Sequence, residues 1–230
     1  MGEPFSDRRG FLGRLSAAAA VLVGAEAIGA TGAGALTRQA AVAPDKWLDG
    51  MTGKHRTLFD FPLNVDGMPL IHMLNYMSTY KTAYGAAPGE VNAIGTFYGA
   101  PGFPASMPLA WNDAMWAKYK VGQMLKLNDP KGGPTTHNMF FRPMAGDPIF
   151  FSGAVLAAGI ESLQKMGATF LMCNNAFMAW VGVLAGMGMG KAADIEKDIR
   201  ANLLPGVVTV PAMVIAIEKA QGRGIAYNRQ

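Results

Sequence analysis

The sequence predicts a three-layer α/β domain, a mainly parallel sheet with helices on both faces. Three observations carry this expectation. Short strand-like and helical patterns alternate from Arg56 to Tyr227, the order expected of a parallel sheet with crossover helices. The run Ala168–Cys173 (ATFLMC) is apolar throughout, as a strand buried on both faces must be. Half of the chain is apolar, enough for one sizeable core.

The amino end precedes this domain. Ser6-Asp7-Arg8-Arg9-Gly10-Phe11-Leu12 joins paired arginines to an apolar pair, and an Ala/Gly-rich tract runs from Leu15 to Ala35. A basic start, a weakly hydrophobic stretch and a small-residue end define a secretory signal of the twin-arginine type. Arg8 and Arg9 would be read by the twin-arginine translocase, which exports folded proteins. Ala33-Gly34-Ala35 is the expected cleavage site. Glu26 interrupts the tract, and the run Ala17–Ala25 is too short to span a bilayer. The expected mature protein, residues 36–230, is extracytoplasmic or periplasmic, with no stable membrane insertion after cleavage. Residues 36–54 contain Pro44, Gly50 and Gly53 and little periodicity, so they are expected to form a linker before a domain over 55–230.

The elements follow in order. Thr57–Phe61 is the first strand. Pro69 suits a first helical turn, and Leu70, Met73, Leu74, Met77, Tyr80 and Tyr84 recur at helical spacing up to Gly85. Val91–Tyr98 is the second strand, and Met107–Trp111 is expected to be a short third. Asn112 can cap a helix carrying Met115, Tyr119, Gly122 and Leu125. Residues 128–146 read as a long polar loop, of a length associated with function or mobility. A helix is expected over Phe151–Lys165, closed by Gly167. After the Ala168–Cys173 strand, Asn174 and Asn175 start a helix through Leu184, and Asp194 opens another. Gly206–Val210, a helix from Pro211, and Gly224–Tyr227 complete the alternation.

Charge and cysteine usage narrow the function classes. The formal charge of +4 is unchanged by loss of residues 1–35, which carry three Arg and three acidic residues. The basic groups are scattered, so no nucleic-acid partner is expected. Cys173 is the single cysteine, which excludes an intrachain disulfide. It stands at the carboxyl end of a central strand, where open α/β sheets bind ligands. It also immediately precedes a helix, whose free N–H groups and positive potential favour a thiolate. Such a sulfur could hold a persulfide or ligate a soft metal, with Asn174 and Asn175 as neighbouring amide donors. The alternative is a packed, inert cysteine, since free cysteine is among the most buried residue types.

The stretch Ile160–Cys173-Asn174-Asn175, continuing through Leu203–Pro211 to Gly224-Ile225-Ala226-Tyr227, resembles the DsrE/DsrF-like family. Its landmarks are a helix ending in Gly, a strand ending in Cys and a late strand–helix–strand closing on a Gly-aromatic region. His72–Asn75 and Val91–Gly99 resemble the family's first helix and second strand more loosely. The resemblance implies a flavodoxin-like, DsrE-like fold, homo- or hetero-oligomers, and a cysteine at position 173 carrying sulfane sulfur between a donor and an acceptor protein. No cofactor is expected. Relay members are cytoplasmic, whereas this chain bears an export signal. Some relatives carry His where the second strand ends; here Tyr98 and Gly99 occupy that place, at the expected ligand crevice.

Other patterns are weaker. Gly186–Lys191 lacks the spacing and preceding strand of a phosphate loop and reads as an inter-helix turn. The sixteen methionines, with His55, His72, His137 and Cys173, could serve Cu(I). Met73, Met77, Met166 and Met178, however, sit where core residues of helices sit. His72 is expected to be exposed, and His137 could approach the sheet crevice. Asp113 and Asp147 suit helix or turn caps. Trp111, Trp116 and Trp180 read as packing residues. The leading expectation is sulfur handling by Cys173; the alternatives are a non-catalytic binding or assembly module and a soft-metal binder.

Overall fold

Five parallel strands in the order β4-β3-β2-β1-β5 form the centre of the computed structural model, which describes residues 44–230. They are β1 (His55–Asp60), β2 (Val91–Phe97), β3 (Thr169–Cys173), β4 (Val207–Val210) and β5 (Ala226–Arg229). Register is fixed by pairs such as Phe59 with Gly95, Phe97 with Met172, and Cys173 with Val210. The helices are α1 (Met68–Ala83), α2 (Asp113–Lys118), α3 (Val121–Leu125), α4 (Ile160–Lys165), α5 (Asn174–Gly186), α6 (Ala192–Ala201) and α7 (Met213–Gly222). The chain steps from β1 to β4 in one direction and returns to β5 outside β1. With right-handed crossovers, the first three connections cover one face and α7 covers the other. The architecture is the expected three-layer α/β fold, flavodoxin-like in its layers.

The sheet's centre is aromatic. Phe97 and Phe170 stack with ring centroids 5.0 Å apart, and both are fully buried. Gly95 makes room for this layer: a Cβ there would lie 2.6 Å from the Phe170 ring. The β1–α1 turn is stitched to the end of β2 by two hydroxyls. Thr96 Oγ1 accepts from the Phe61 N–H at 3.0 Å, and Ser106 Oγ donates to the Phe61 carbonyl at 2.6 Å.

Several expected elements differ. Met107–Ala110 is a 3-10 turn instead of a strand. Pro108 lacks an N–H, and Leu109 N–H bonds Ser106 O while Trp111 N–H bonds Pro108 O. Because this turn is wholly buried, its composition resembles that of an inner strand. The Asn112-capped helix does form, with Asn112 Oδ1 accepting from Met115 N–H. It breaks at Lys120 (φ 51°) before α3. Gly122 then backs onto Thr135, where a Cβ would meet the Thr135 carbonyl at 2.2 Å.

Only Ile160–Lys165 of the expected 151–165 helix is α-helical. Phe150, Phe151 and Ser152 have φ of 52°, 55° and 56°, a left-handed turn that costs non-glycine residues about 1 kcal/mol each. It turns the Phe150 ring into the core against Gly67. The long 128–146 segment is irregular, yet buried Asn138 pins it. Its Nδ2 donates to the Leu109 and Trp111 carbonyls at 3.0 and 2.8 Å.

The proposed arm over 36–54 is not all linker, since Trp47, Leu48 and Met51 pack into the core. The expected signal, with Arg8 and Arg9, lies outside the described residues. Among the described residues, no helix is long and apolar enough to cross a membrane.

Candidate functional site

Two constellations occupy the carboxyl edge of the sheet. The first is Cys173, where β3 ends and α5 begins. Its Sγ accepts from the backbone N–H of Ala176 at 3.5 Å and of Met213 at 3.3 Å. Cys173 is the N-cap of α5, and Met213 is the first residue of α7. The sulfur therefore sits where two helix amino termini converge, which is favourable for negative charge. Cys173 is 6% exposed.

The predicted supporting residues act differently from expectation. The donors to sulfur come from Ala176 and Met213, not from Asn174 or Asn175. Asn174 Oδ1 accepts from Arg200 Nη2 at 2.7 Å, and Asn175 N–H bonds the Pro211 carbonyl. Local sequence could suggest Ala176, three residues along the new helix, but not Met213, which is forty residues away.

The second constellation centres on Asp60, a buried carboxylate at the end of β1. Tyr98 Oη donates to its Oδ1 at 2.6 Å. Tyr227 Oη and Arg229 Nη1 donate to Oδ2 at 2.7 and 2.6 Å. Arg229 Nη1 also donates to Tyr98 Oη at 3.1 Å. Burial first, and then the Asp60 carboxylate, push the Tyr98 phenol upward. The Asp60 hydrogen bond, followed by burial, does the same to Tyr227. The same carboxylate holds the Arg229 guanidinium above its usual range. Both phenols therefore remain donors at neutral pH, and the buried charge is paired and hydrogen-bonded, as burial requires. Tyr98 thus serves β1 and β5. Gly99 is architectural: its φ is 99°, a Cβ would meet the Pro62 carbonyl at 2.3 Å, and its own carbonyl accepts from Trp180 Nε1.

Beside this cluster, an open groove of about 790 Å³ runs between α1 and β5, lined among others by Phe59, His72, Tyr76, Tyr80, Arg229 and Gln230. Tyr76 and Tyr80 on α1 and Tyr84 at its C-cap recur at i, i+4 and i+8, their neighbouring rings 5.0 and 5.3 Å apart. His55 stacks on Tyr80 at 4.1 Å. His72 is exposed, as expected, and its Nδ1 bonds the Gln230 side chain.

The remaining candidates resolve as follows. His137 turns to Thr135 Oγ1 at 3.1 Å and Asp147 Oδ2 at 3.4 Å within its own loop. Asp147 Oδ2 accepts from Met144 N–H, a turn cap, and Asp113 Oδ1 accepts from Asn138 N–H. Met73 and Met77 are core residues, whereas Met166 and Met178 are exposed. Trp111, Trp116 and Trp180 are buried, and residues 187–190 turn between α5 and α6. Among the described residues, no three His, Cys, Asp or Glu side chains converge to hold a metal.

No family model and no curated protein matches this chain. Similarity to a solved structure extends to a protein of unknown function from Methanobacterium thermoautotrophicum. The match has 16% identity and a TM-score of 0.39, and covers 76% of this chain and 99% of that one.

Proposed function

We propose that the protein is an exported, DsrE-like sulfur handler that carries sulfane sulfur on Cys173, working as a homo-oligomer. The observation that supports this reading is the pair of backbone N–H groups, one from each of two helix starts, donating to Sγ. In the transfer, the Cys173 thiolate attacks the outer sulfur of a donor persulfide. A new S–S bond forms at Cys173, the donor S–S bond breaks, and the donor leaves as a thiolate. Passing the sulfur to an acceptor thiolate reverses these roles, so no cofactor enters. Charge on the outgoing or incoming sulfur would fall on fixed main-chain donors, which need no rearrangement.

Intact-mass measurement of protein isolated from its native source tests this. The expected result is an adduct of about 32 Da, confined to the Cys173 peptide and released by a thiol reductant. An unmodified Cys173, in protein handled without reductant, would count against the carrier.

A second reading, a non-catalytic extracytoplasmic binding module, is favoured by the low exposure of Cys173. There the sulfur is a capping and packing group, and ligand binding falls to the Asp60 side of the sheet edge.

A further inference from the structure

We infer that the groove between α1 and β5 binds a small molecule joining one flat ring to one anionic group, with Arg229 reading the anion and the α1 tyrosines receiving the ring. This assignment is independent of the chemistry at Cys173.

Arg229 is the first support. Its side chain is 56% exposed and lines the groove, yet it is not a free surface arginine. Nη1 is held by the buried Asp60 carboxylate and by Tyr98 Oη. Nε and Nη2 make no hydrogen bond among the described residues. A guanidinium fixed at one corner presents its remaining N–H groups in a plane suited to a carboxylate or phosphate. Much of the rotamer freedom that a surface arginine loses on binding is already gone, which is how preorganisation strengthens recognition.

The lining's charge is the second support. It includes Arg229 and His72, amide side chains from Asn75, Asn228 and Gln230, and no Asp or Glu. Asp60 itself lies beneath, with its charge divided among four side-chain donors, Thr96, Tyr98, Tyr227 and Arg229.

The third support is the aromatic wall. Three of the chain's six tyrosines lie on this one helix face. The other three, Tyr98, Tyr119 and Tyr227, each donate to a carboxylate. Tyr84 is 74% exposed, while Tyr80 is backed by His55 on one side. Exposed aromatic rings beside a few convergent polar groups are the composition of a small-molecule site.

The chemistry fits a nucleoside monophosphate or a simple aromatic carboxylate, and calorimetric titration of the full chain separates them. AMP and 4-hydroxybenzoate are the ring-plus-anion probes; adenosine and inorganic phosphate are the halves of the first, phenol and acetate those of the second. At least one whole probe should bind, with each of its halves roughly tenfold weaker or worse. Which whole probe binds identifies the source of the anion. Arg229→Lys keeps a cation for Asp60 but loses the planar fork, and should weaken binding roughly tenfold. Tyr84→Ala, at an exposed position, should weaken it several-fold without altering the melting curve. Failure of both whole probes overturns the assignment, as does phosphate binding as tightly as AMP. Binding indifferent to both Arg229→Lys and Tyr84→Ala does so too.

Discussion

The two ends of the sheet edge are built from different materials. At β3, a single sulfur is served entirely by main chain, by N–H groups of Ala176 and Met213. At β1 and β5, a carboxylate is served entirely by side chains, drawn from residues 96, 98, 227 and 229. Main-chain donors are set by the fold and are insensitive to single substitutions. Side-chain donors can be removed one at a time, and each removal leaves a buried charge less satisfied. The first arrangement suits a group whose own charge changes during a reaction; the second suits a permanent charge that holds something else in place.

Substitutions should therefore cost more at the second site than at the first. Arg229→Met leaves Asp60 buried with two phenols, the Thr96 hydroxyl and no cation, and should cost about 2–3 kcal/mol in urea unfolding at neutral pH. Tyr98→Phe removes one donor to the same carboxylate and should cost about 1.5 kcal/mol. It should also change the alkaline limb. The Tyr98 phenol is raised in the folded state from 10.0, so its contribution is complete below about pH 10. It is lost as pH climbs toward the folded value. Unfolding measured from pH 9 to 11 should show wild type losing stability more steeply than Tyr98→Phe.

Cys173→Ala should cost less, about 1 kcal/mol, because the two N–H groups lose only a weak acceptor. A cost above that of Arg229→Met would erase the contrast between the two ends.

The smallest effect belongs to a solvated carboxylate used as a control. Glu161 faces Arg142 and Lys165, and these partners, Arg142 first, hold it down at about 2 from the ordinary 4.5. Its folded value is depressed, so its contribution is present above about pH 4.5 and fades as pH falls through about 2. The stability difference between wild type and Glu161→Gln should be small at neutral pH and vanish in acid. A large neutral-pH difference would mean that exposed pairs matter here as much as the buried cluster does.

The same contrast explains what the sequence makes legible. Cys173 at a strand end before a helix is a local pattern, and the strand, the helix and the sulfur's place at the sheet edge were all expected. Alternating patterns likewise disclose all five strands of the sheet. Asp60 offers no such signal. It reads as the polar residue of TLFDF, and its partners lie 36 to 169 residues away. Only the return of β5 to the outer side of β1 brings them together. A strand order could have hinted at this, because Tyr227 and Arg229 alternate on the last strand, but propensity does not reveal pairing order. The failures over 107–111 and 151–165 share a cause. Both stretches are apolar and buried, yet one is bent by Pro108 and the other by the left-handed turn that seats Phe150. Tertiary packing, not local preference, decides such segments.

The proposed sulfur chemistry depends on main-chain donors making the sulfur at the end of β3 ready to react. The rate at which a thiol reagent modifies Cys173 in the native full chain at mildly acidic pH, set against the denatured chain under the same conditions, measures this directly. Faster modification of the native protein is the predicted result. Native modification equal to or slower than the denatured control would contradict the claim and leave Cys173 as a capping residue of α5.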